Sequence, residues 1–369
     1  MVGLHGGAVP PSALLTAFRF SAVSSDLKTL VAKASDGLPL SAEEAEWAFG
    51  RFMTGEVSPV LMAALLVTLR ARGVHASEIA GGVRALRKVM VDVPSPDPRD
   101  LVDTCGTGGG ASTFNISTAA AFVAAGAGVS VAKHGNRSFT SRSGSADVLE
   151  RLGVPVDVPP ESASFILEEA GIVFMFAPAH HPAMRHVASV RAELGFPTVM
   201  NVLGPLTNPA RAGRQVVGVA DPELLELVAE ALRELGHRRA IVVHGEPGLD
   251  ELSPVGVTQV VEVVDGTLRR WRVAPEDVGL TSVSLDSIAG GEPEENAETI
   301  LRVLEGEGHE GARNAVLLNA GAAVYVSGGV PDLREGVRAA ERSLTEGQAL
   351  RALDRLRTAT TAHRSGSED

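Results

Sequence analysis

The sequence holds a single cysteine, Cys105, in 369 residues, so no internal disulfide can form and a cysteine-built zinc site is excluded. Aromatic residues reach only 4%, too few for a base-stacking or carbohydrate platform, which leaves Ala, Val and Leu to build the core. Positive charge is also short. Lys and Arg number 33 against 45 Asp and Glu, a formal charge of −12, so bulk nucleic-acid binding is disfavoured and any bound anion must be captured by a local device. No apolar run reaches membrane-spanning length and no charged-then-apolar leader is visible; no membrane association and a cytoplasmic location are expected.

What is present divides into blocks. Residues 1–23 mix Gly, Pro and Ser without a period, and residues 356–369 end in "HRSGSED"; both are expected to be flexible extensions. Residues 24–97 carry helical patterning: Ser41 and Glu44 form a capping box, while Ser58, Pro59 and Gly73 supply a cap, a first turn and a stop. After "VPSPDPRD" the period changes. Short β-branched runs ("LVDT", "VSVA", "IVFMFA", "QVVGVA", "AIVVHG") alternate with helical stretches, which predicts a mainly parallel sheet covered by helices on both faces. The fold class is therefore α/β: a small all-helical domain, then a large domain over 98–179 and 206–355. Ligands in such sheets sit beyond the carboxyl ends of the strands, so the loops there are the candidates.

The first of these loops is "DTCGTGGGASTFNIST", residues 103–118. Gly106, Gly108, Gly109 and Gly110 let the backbone approach an anion, and Asn115, Ser117 and Thr118 stand where a helix N-terminus already favours negative charge, so a phosphate or pyrophosphate is the simplest ligand. Gly106, Gly108 and Ala111 also match a dinucleotide fingerprint. That motif wants an acidic residue about twenty positions on, where this chain has Lys133 and His134.

The second loop, "AKHGNRSFTSRSGSADVLE", offers Lys133 as a countercharge for phosphates and Asn136, Ser138, Ser141 and Ser145 as neutral donors. Some of its serines, Ser143 among them, read equally as turn and cap residues. The third, "HGEPGLDELSP", carries the adjacent Asp250 and Glu251, a pair suited to Mg²⁺. The fourth, "HHPAMRHVASVRAELGFPTVMNVLGPLTNPA", presents Arg191 as a fork for a small carboxylate, with His181 and His134 able to line an aromatic slot. Cys105 reads as a small buried apolar group.

Together "GTGGG...TFNIST", "KHGNRSFTSRSGSADVLE", "SVRAELGFPTVMNVLGPLTNP" and "HGEPGLDELSP" resemble the signature segments of the anthranilate phosphoribosyltransferase family, in the family's order. The resemblance implies a nucleoside phosphorylase/phosphoribosyltransferase type of fold, with a helical insertion near 180–205 joining the N-terminal helices and homodimerisation through the helical part. It implies transfer of the phosphoribosyl group of phosphoribosyl pyrophosphate to the amine of anthranilate, in tryptophan biosynthesis. By it, Gly106, Gly109, Gly110, Thr113, Asn115, Ile116, Ser117, Thr118, Ser145 and the run Lys133, His134, Gly135, Asn136, Arg137, Ser138, Phe139, Thr140 and Ser141 would contact substrate. Ser117, Asp250 and Glu251 would hold Mg²⁺, and Gly106, Asn136 and Arg191 would meet anthranilate. No general base stands out, so Lys133, Asp250 and Glu251 take electrostatic roles. In one departure, Gly110 stands where the family usually has aspartate, in a loop one residue shorter. A pyrimidine nucleoside phosphorylase would share the fold plan, but "LGPLTNP" with Arg191 favours an acid acceptor. A non-catalytic nucleic-acid-binding relative is disfavoured by the charge of −12 and by Asp250–Glu251.

Overall fold

The computed structural model describes residues 26–138 and 142–364, so the expected N-terminal extension lies outside the described residues. Four helices come first: α1 (Leu27–Ser35), α2 (Ala42–Met53), α3 (Pro59–Arg72) and α4 (Ala76–Arg87). Their starts are written in the sequence. Ser41 Oγ accepts the Glu44 N–H at 3.2 Å while Glu44 accepts the Ser41 N–H at 2.7 Å. Ser58 caps α3 ahead of Pro59. Each such cap contributes about 1 kcal/mol.

The α/β part follows as β1 (Val102–Gly106), α5 (Ile116–Gly126), β2 (Val131–Gly135), α6 (Ser145–Arg151), α7 (Ala163–Ala170), β3 (Ile172–Phe176), α8 (Ala177–His180), α9 (Arg185–Leu194), α10 (Val199–Leu206), β4 (Arg214–Gly218), α11 (Leu224–Glu234), β5 (Arg239–Gly245), β6 (Thr258–Val264), β7 (Thr267–Val273), α12 (Pro293–Leu304), α13 (Glu310–Val326), α14 (Leu333–Thr345) and α15 (Gln348–Arg364). The sheet order is β3-β2-β1-β4-β5-β6-β7, parallel from β3 to β5 and antiparallel beyond. Strand order reverses at β1, whose neighbours are β2 and β4, and a ligand crevice opens at such a point. The β6–β7 hairpin turns on Asp265 and Gly266, both at positive φ (44° and 80°), the Asp-Gly pair that a two-residue hairpin loop requires.

The five parallel strands are buried on both faces along most of their length, whereas β7 at the edge is largely exposed. On β5, Ile241 and Val243 join one cluster with α5, α13 and α15, while Ala240 and Val242 join a second with α11, α9, α10 and the N-terminal helices. The shortage of aromatics is met by small residues: Ala119 to Ala121 and Ala124 of α5 are buried, and so are Ala320, Ala322 and Ala323 of α13, which lets these helices pack closely. The end of the chain departs from expectation. Residues 356–364 are not a loose tail but the last turns of α15, because Ala352, Leu353, Leu356, Ala359 and Thr360 recur at helical spacing and are buried. No helix among the described residues is long and apolar enough to cross a membrane.

His237, just past α11, is buried with Nδ1 at 3.1 Å from the Leu232 carbonyl and Nε2 without a partner. Burial and the nearby Arg87 charge push its pKa down to about 3. A folded value below the unfolded one gives stability that is complete above about pH 6.5 and is lost as pH falls toward the folded value. Between about pH 6 and 4, urea unfolding of the wild type should weaken by about 1.4 kcal/mol per pH unit more than that of His237→Gln. Parallel pH profiles would show that His237 takes up its proton equally in both states.

Candidate active site

The glycine loop after β1 is held down by the loop after β5. Asp250 Oδ2 accepts the Gly108 N–H at 2.8 Å, and the Gly248 carbonyl accepts the Ala111 N–H at 3.0 Å. Glycine is needed for this approach: a Cβ on Gly106 would lie 2.5 Å from Asp250 Oδ2, and one on Gly218 would lie 1.6 Å from the Asp250 carbonyl oxygen. Gly110 is equally confined, since its Cβ would meet the Gly248 carbonyl at 2.8 Å. An aspartate placed at 110 would therefore displace the loop rather than restore a ligand, so Gly110→Asp is unsuited to testing the metal.

Lys133 sits in the middle of β2 and does not reach out of the cleft. Only 4% exposed, it donates to the Thr104 carbonyl and, at 3.2 Å, to Ser117 Oγ. Ser117 in turn gives its N–H, at the start of α5, to Glu251 Oε1 at 3.2 Å. Lys133, Ser117 and Glu251 thus form one chain of contacts beneath the glycine loop, and Asp250 pins that loop from the other side. Burial and the charge of Asp250 raise the Glu251 pKa to about 8, with Lys133 opposing, and burial also raises Asp250.

One group that the sequence reading passed over organises this floor. Asp103 is fully buried; its Oδ1 accepts the His134 N–H at 3.1 Å and its Oδ2 accepts Asn208 Nδ2 at 2.8 Å. Asn208 also donates to the Ala132 carbonyl at 2.8 Å. Asp103 therefore ties β1, the end of β2 and the segment after α10 together. Burial raises its pKa and the Lys133 charge lowers it.

Other expected contacts are engaged inside the protein. Asn115 donates to the Ser143 carbonyl at 3.0 Å and accepts from Ser143 Oγ and Asn296 Nδ2, both at 3.0 Å, so its amide joins the two loops to α12. Arg137 pairs with Glu150 at 2.6 and 2.7 Å and with Asp147 at 3.0 Å. Asp147 also accepts the Ser138 and Gly144 N–H groups at 3.1 and 2.9 Å. Ser145 Oγ donates to the Asn136 carbonyl at 3.2 Å. Thr113 bridges to Ala289, Ile116 is buried apolar, and Thr118 is buried with its hydroxyl unpartnered. Phe139, Thr140 and Ser141 lie outside the described residues.

Next to the glycine loop opens a cavity of about 540 Å³. It brings together Gly106, His134, Gly135, Asn136, His181 and Arg191 from three separate stretches of sequence. Arg185, Asn201, Pro178, Met184, Met200 and Pro205 complete much of the wall, and no carboxylate lines it. Cys105 is not wholly buried as expected but is part of this wall, with its thiol pKa raised by burial and by Asp103. The rings of His134 and His181 lie 5.0 Å apart. Burial keeps both neutral, with His181 pushed down to about 4 and His134 well below its usual range. Arg191 is half-buried, and no carboxylate pairs with it among the described residues.

The donor set fits a hard cation bound in part by its substrate. Asp250 and Glu251 are two carboxylates, Ser117 adds a hydroxyl, and no group of three or more His, Cys, Asp or Glu side chains able to hold a metal occurs among the described residues. A cation here must complete its shell with water and phosphate oxygens, as Mg²⁺ does.

Comparison with known proteins matches residues 98–350 to a family described as glycosyl transferase family, a/b domain, and residues 28–90 to the glycosyl transferase family, helical bundle domain. An anthranilate phosphoribosyltransferase of Rubrobacter xylanophilus is 53% identical over 331 residues, 89% of this chain and 96% of the relative. The crystal structure of anthranilate phosphoribosyltransferase from Thermus thermophilus is 49% identical with a TM-score of 0.85, covering 90% of this chain and 99% of that one. A solved structure of anthranilate phosphoribosyltransferase from Saccharomyces cerevisiae in complex with PRPP and Mg is 30% identical with a TM-score of 0.83, over 93% of this chain and 99% of that one.

Proposed function

The chain belongs to the anthranilate phosphoribosyltransferase family, and from that premise we propose how its own residues carry the family's reaction. It transfers the phosphoribosyl group of phosphoribosyl pyrophosphate to the amine of anthranilate in tryptophan biosynthesis, giving N-(5-phosphoribosyl)anthranilate and pyrophosphate. The observation that carries the residue assignment is the junction at Gly106, which belongs both to the glycine loop and to a carboxylate-free cavity with two arginines.

Phosphoribosyl pyrophosphate takes the glycine loop, from Gly106 through Thr113 to the start of α5, together with the loop after β2. Asp250, Glu251 and Ser117 would hold a Mg²⁺ ion, which when bound would supply positive charge to the pyrophosphate. Anthranilate enters the cavity with its carboxylate on Arg191 and its ring between the His134–His181 pair and the Pro and Met side chains. At the anomeric carbon the bond to the pyrophosphate oxygen breaks and a bond to the amine nitrogen forms, and the proton that this nitrogen then sheds leaves to pyrophosphate or water. An aryl amine is neutral near pH 7, so its attack requires no base. The buried histidines, kept neutral, add no positive charge beside the developing cationic sugar. Rate then comes from positioning and from fixed charge.

Arg191→Ala should raise the KM for anthranilate about 10- to 100-fold, the worth of a hydrogen-bonded charge pair, while kcat falls less. Steady-state kinetics with each substrate varied decide this, and an unchanged anthranilate KM would remove Arg191 from the acceptor site.

We also propose that the protein is a homodimer through its helical domain. In support, α3 exposes Val60 (77%) and Val67 (39%), seven residues apart and so on one helix face, near-apolar surface that a second copy would cover. Val60→Glu should shift the sedimentation coefficient from dimer to monomer; a wild type that sediments as a monomer excludes the dimer.

A further inference from the structure

Arg87, at the end of α4, donates to the carbonyl of Leu206 at 3.0 Å, between the Pro205 and Thr207 of the acceptor cavity's wall. On the other side of that contact lies a second cavity of about 570 Å³, which shares no lining residue with the first. Its charged side chains sort into pairs. Arg84 meets Glu234 at 3.1 Å, Arg211 meets Asp92 through two bonds of 3.0 Å, and Lys88 pairs with Glu46. Arg87 is left over: among the described residues no carboxylate lies within ion-pair distance of it, and its Nε is buried with no hydrogen-bond partner. Burial and the adjacent Arg211 charge push its pKa down to about 10, against the pull of Asp92, which marks a guanidinium short of negative company.

We propose that this cleft binds a small monocarboxylate, with the carboxylate on Arg87 and a short apolar body against Met90 and Leu235. Four cationic and three carboxylate side chains leave the lining with one positive charge, which a monoanion cancels and a phosphate dianion would overshoot. With one edge of the guanidinium given to Leu206, its remaining N–H groups can donate to a carboxylate oxygen. The two apolar residues suit a short hydrocarbon tail rather than a second charged group.

The test is ¹⁹F NMR of 4,4,4-trifluorobutyrate titrated into the whole protein. Saturable binding is expected in the wild type, undiminished in Arg191→Ala and about tenfold weaker in Arg87→Gln, the loss of one charge-assisted contact. Should Arg87→Gln fail to fold, Arg84→Glu decides: its side chain is 34% exposed, and the substitution turns the lining's net charge negative, so the probe should no longer bind. Loss of binding in Arg191→Ala with retention in Arg87→Gln would place the probe in the acceptor cavity and overturn the proposal. No saturable binding, or displacement by inorganic phosphate more readily than by butyrate, would overturn it too.

Discussion

Lys133→Ala should abolish most turnover and, in the same variant, destabilise the fold. Lys133 is buried and its charge acts on the fully buried carboxylate of Asp103, so its removal leaves that carboxylate without a countercharge. Asp103 keeps its bonds from the His134 N–H and Asn208, so the loss of the Lys133 charge costs about 1–3 kcal/mol. Its bonds to Thr104 and Ser117 Oγ also fix the start of α5, where we propose that the pyrophosphate and the metal bind, so kcat should fall by about 10²- to 10³-fold, as when a preorganised electrostatic donor is lost. The two effects separate in the double variant with Asp103→Asn. Neutralising the orphaned carboxylate should recover much of the unfolding free energy in urea without recovering turnover. Recovery of both would reduce Lys133 to a structural role, and normal activity in Lys133→Ala alone would refute the cradle.

Asp250→Ala should cost about as much turnover, by a different route. Asp250 holds the Gly108 N–H with Oδ2, and in the proposed assignment its other oxygen would take the cation. Asparagine can keep the first contact through its carbonyl oxygen and cannot supply the charge. If charge on the metal is what matters, Asp250→Asn should lose about 10²-fold or more in kcat and need more Mg²⁺ for half-maximal rate, with the loop still in place. Wild-type magnesium dependence in Asp250→Asn would mean that the residue serves only as the loop's anchor.

The five parallel strands were legible because each is a short β-branched run between helical stretches, and the crevice at their carboxyl ends follows from that order. The hairpin of β6 and β7 went unread although "VVDGTL" carries its Asp-Gly turn; three arginines on β7, at 269, 270 and 272, mask the apolar alternation there. In the site, Gly106, Asn136 and Arg191 could be named from sequence, and they line one cavity. Which donors are already committed could not be read. Asn115 and Arg137 have the chemistry of ligands, yet Ser143, Asn296, Asp147 and Glu150 lie close enough to take them, and such distances arise only on folding. Asp103 did leave a trace: an acidic residue inside the apolar strand "LVDT" must be buried, and a buried carboxylate needs partners.

The most direct measurement is the fluorescence of anthranilate mixed with the purified protein, with and without phosphoribosyl pyrophosphate and Mg²⁺. The fluorescence should decay only when both are present, and Lys133→Ala and Asp250→Asn should each slow that decay by about 10²-fold or more. Decay at the wild-type rate in both variants, or no decay in the complete wild-type mixture, would contradict the claim that the glycine loop, the loop after β2 and the Asp250–Glu251 pair hold the sugar donor in one place.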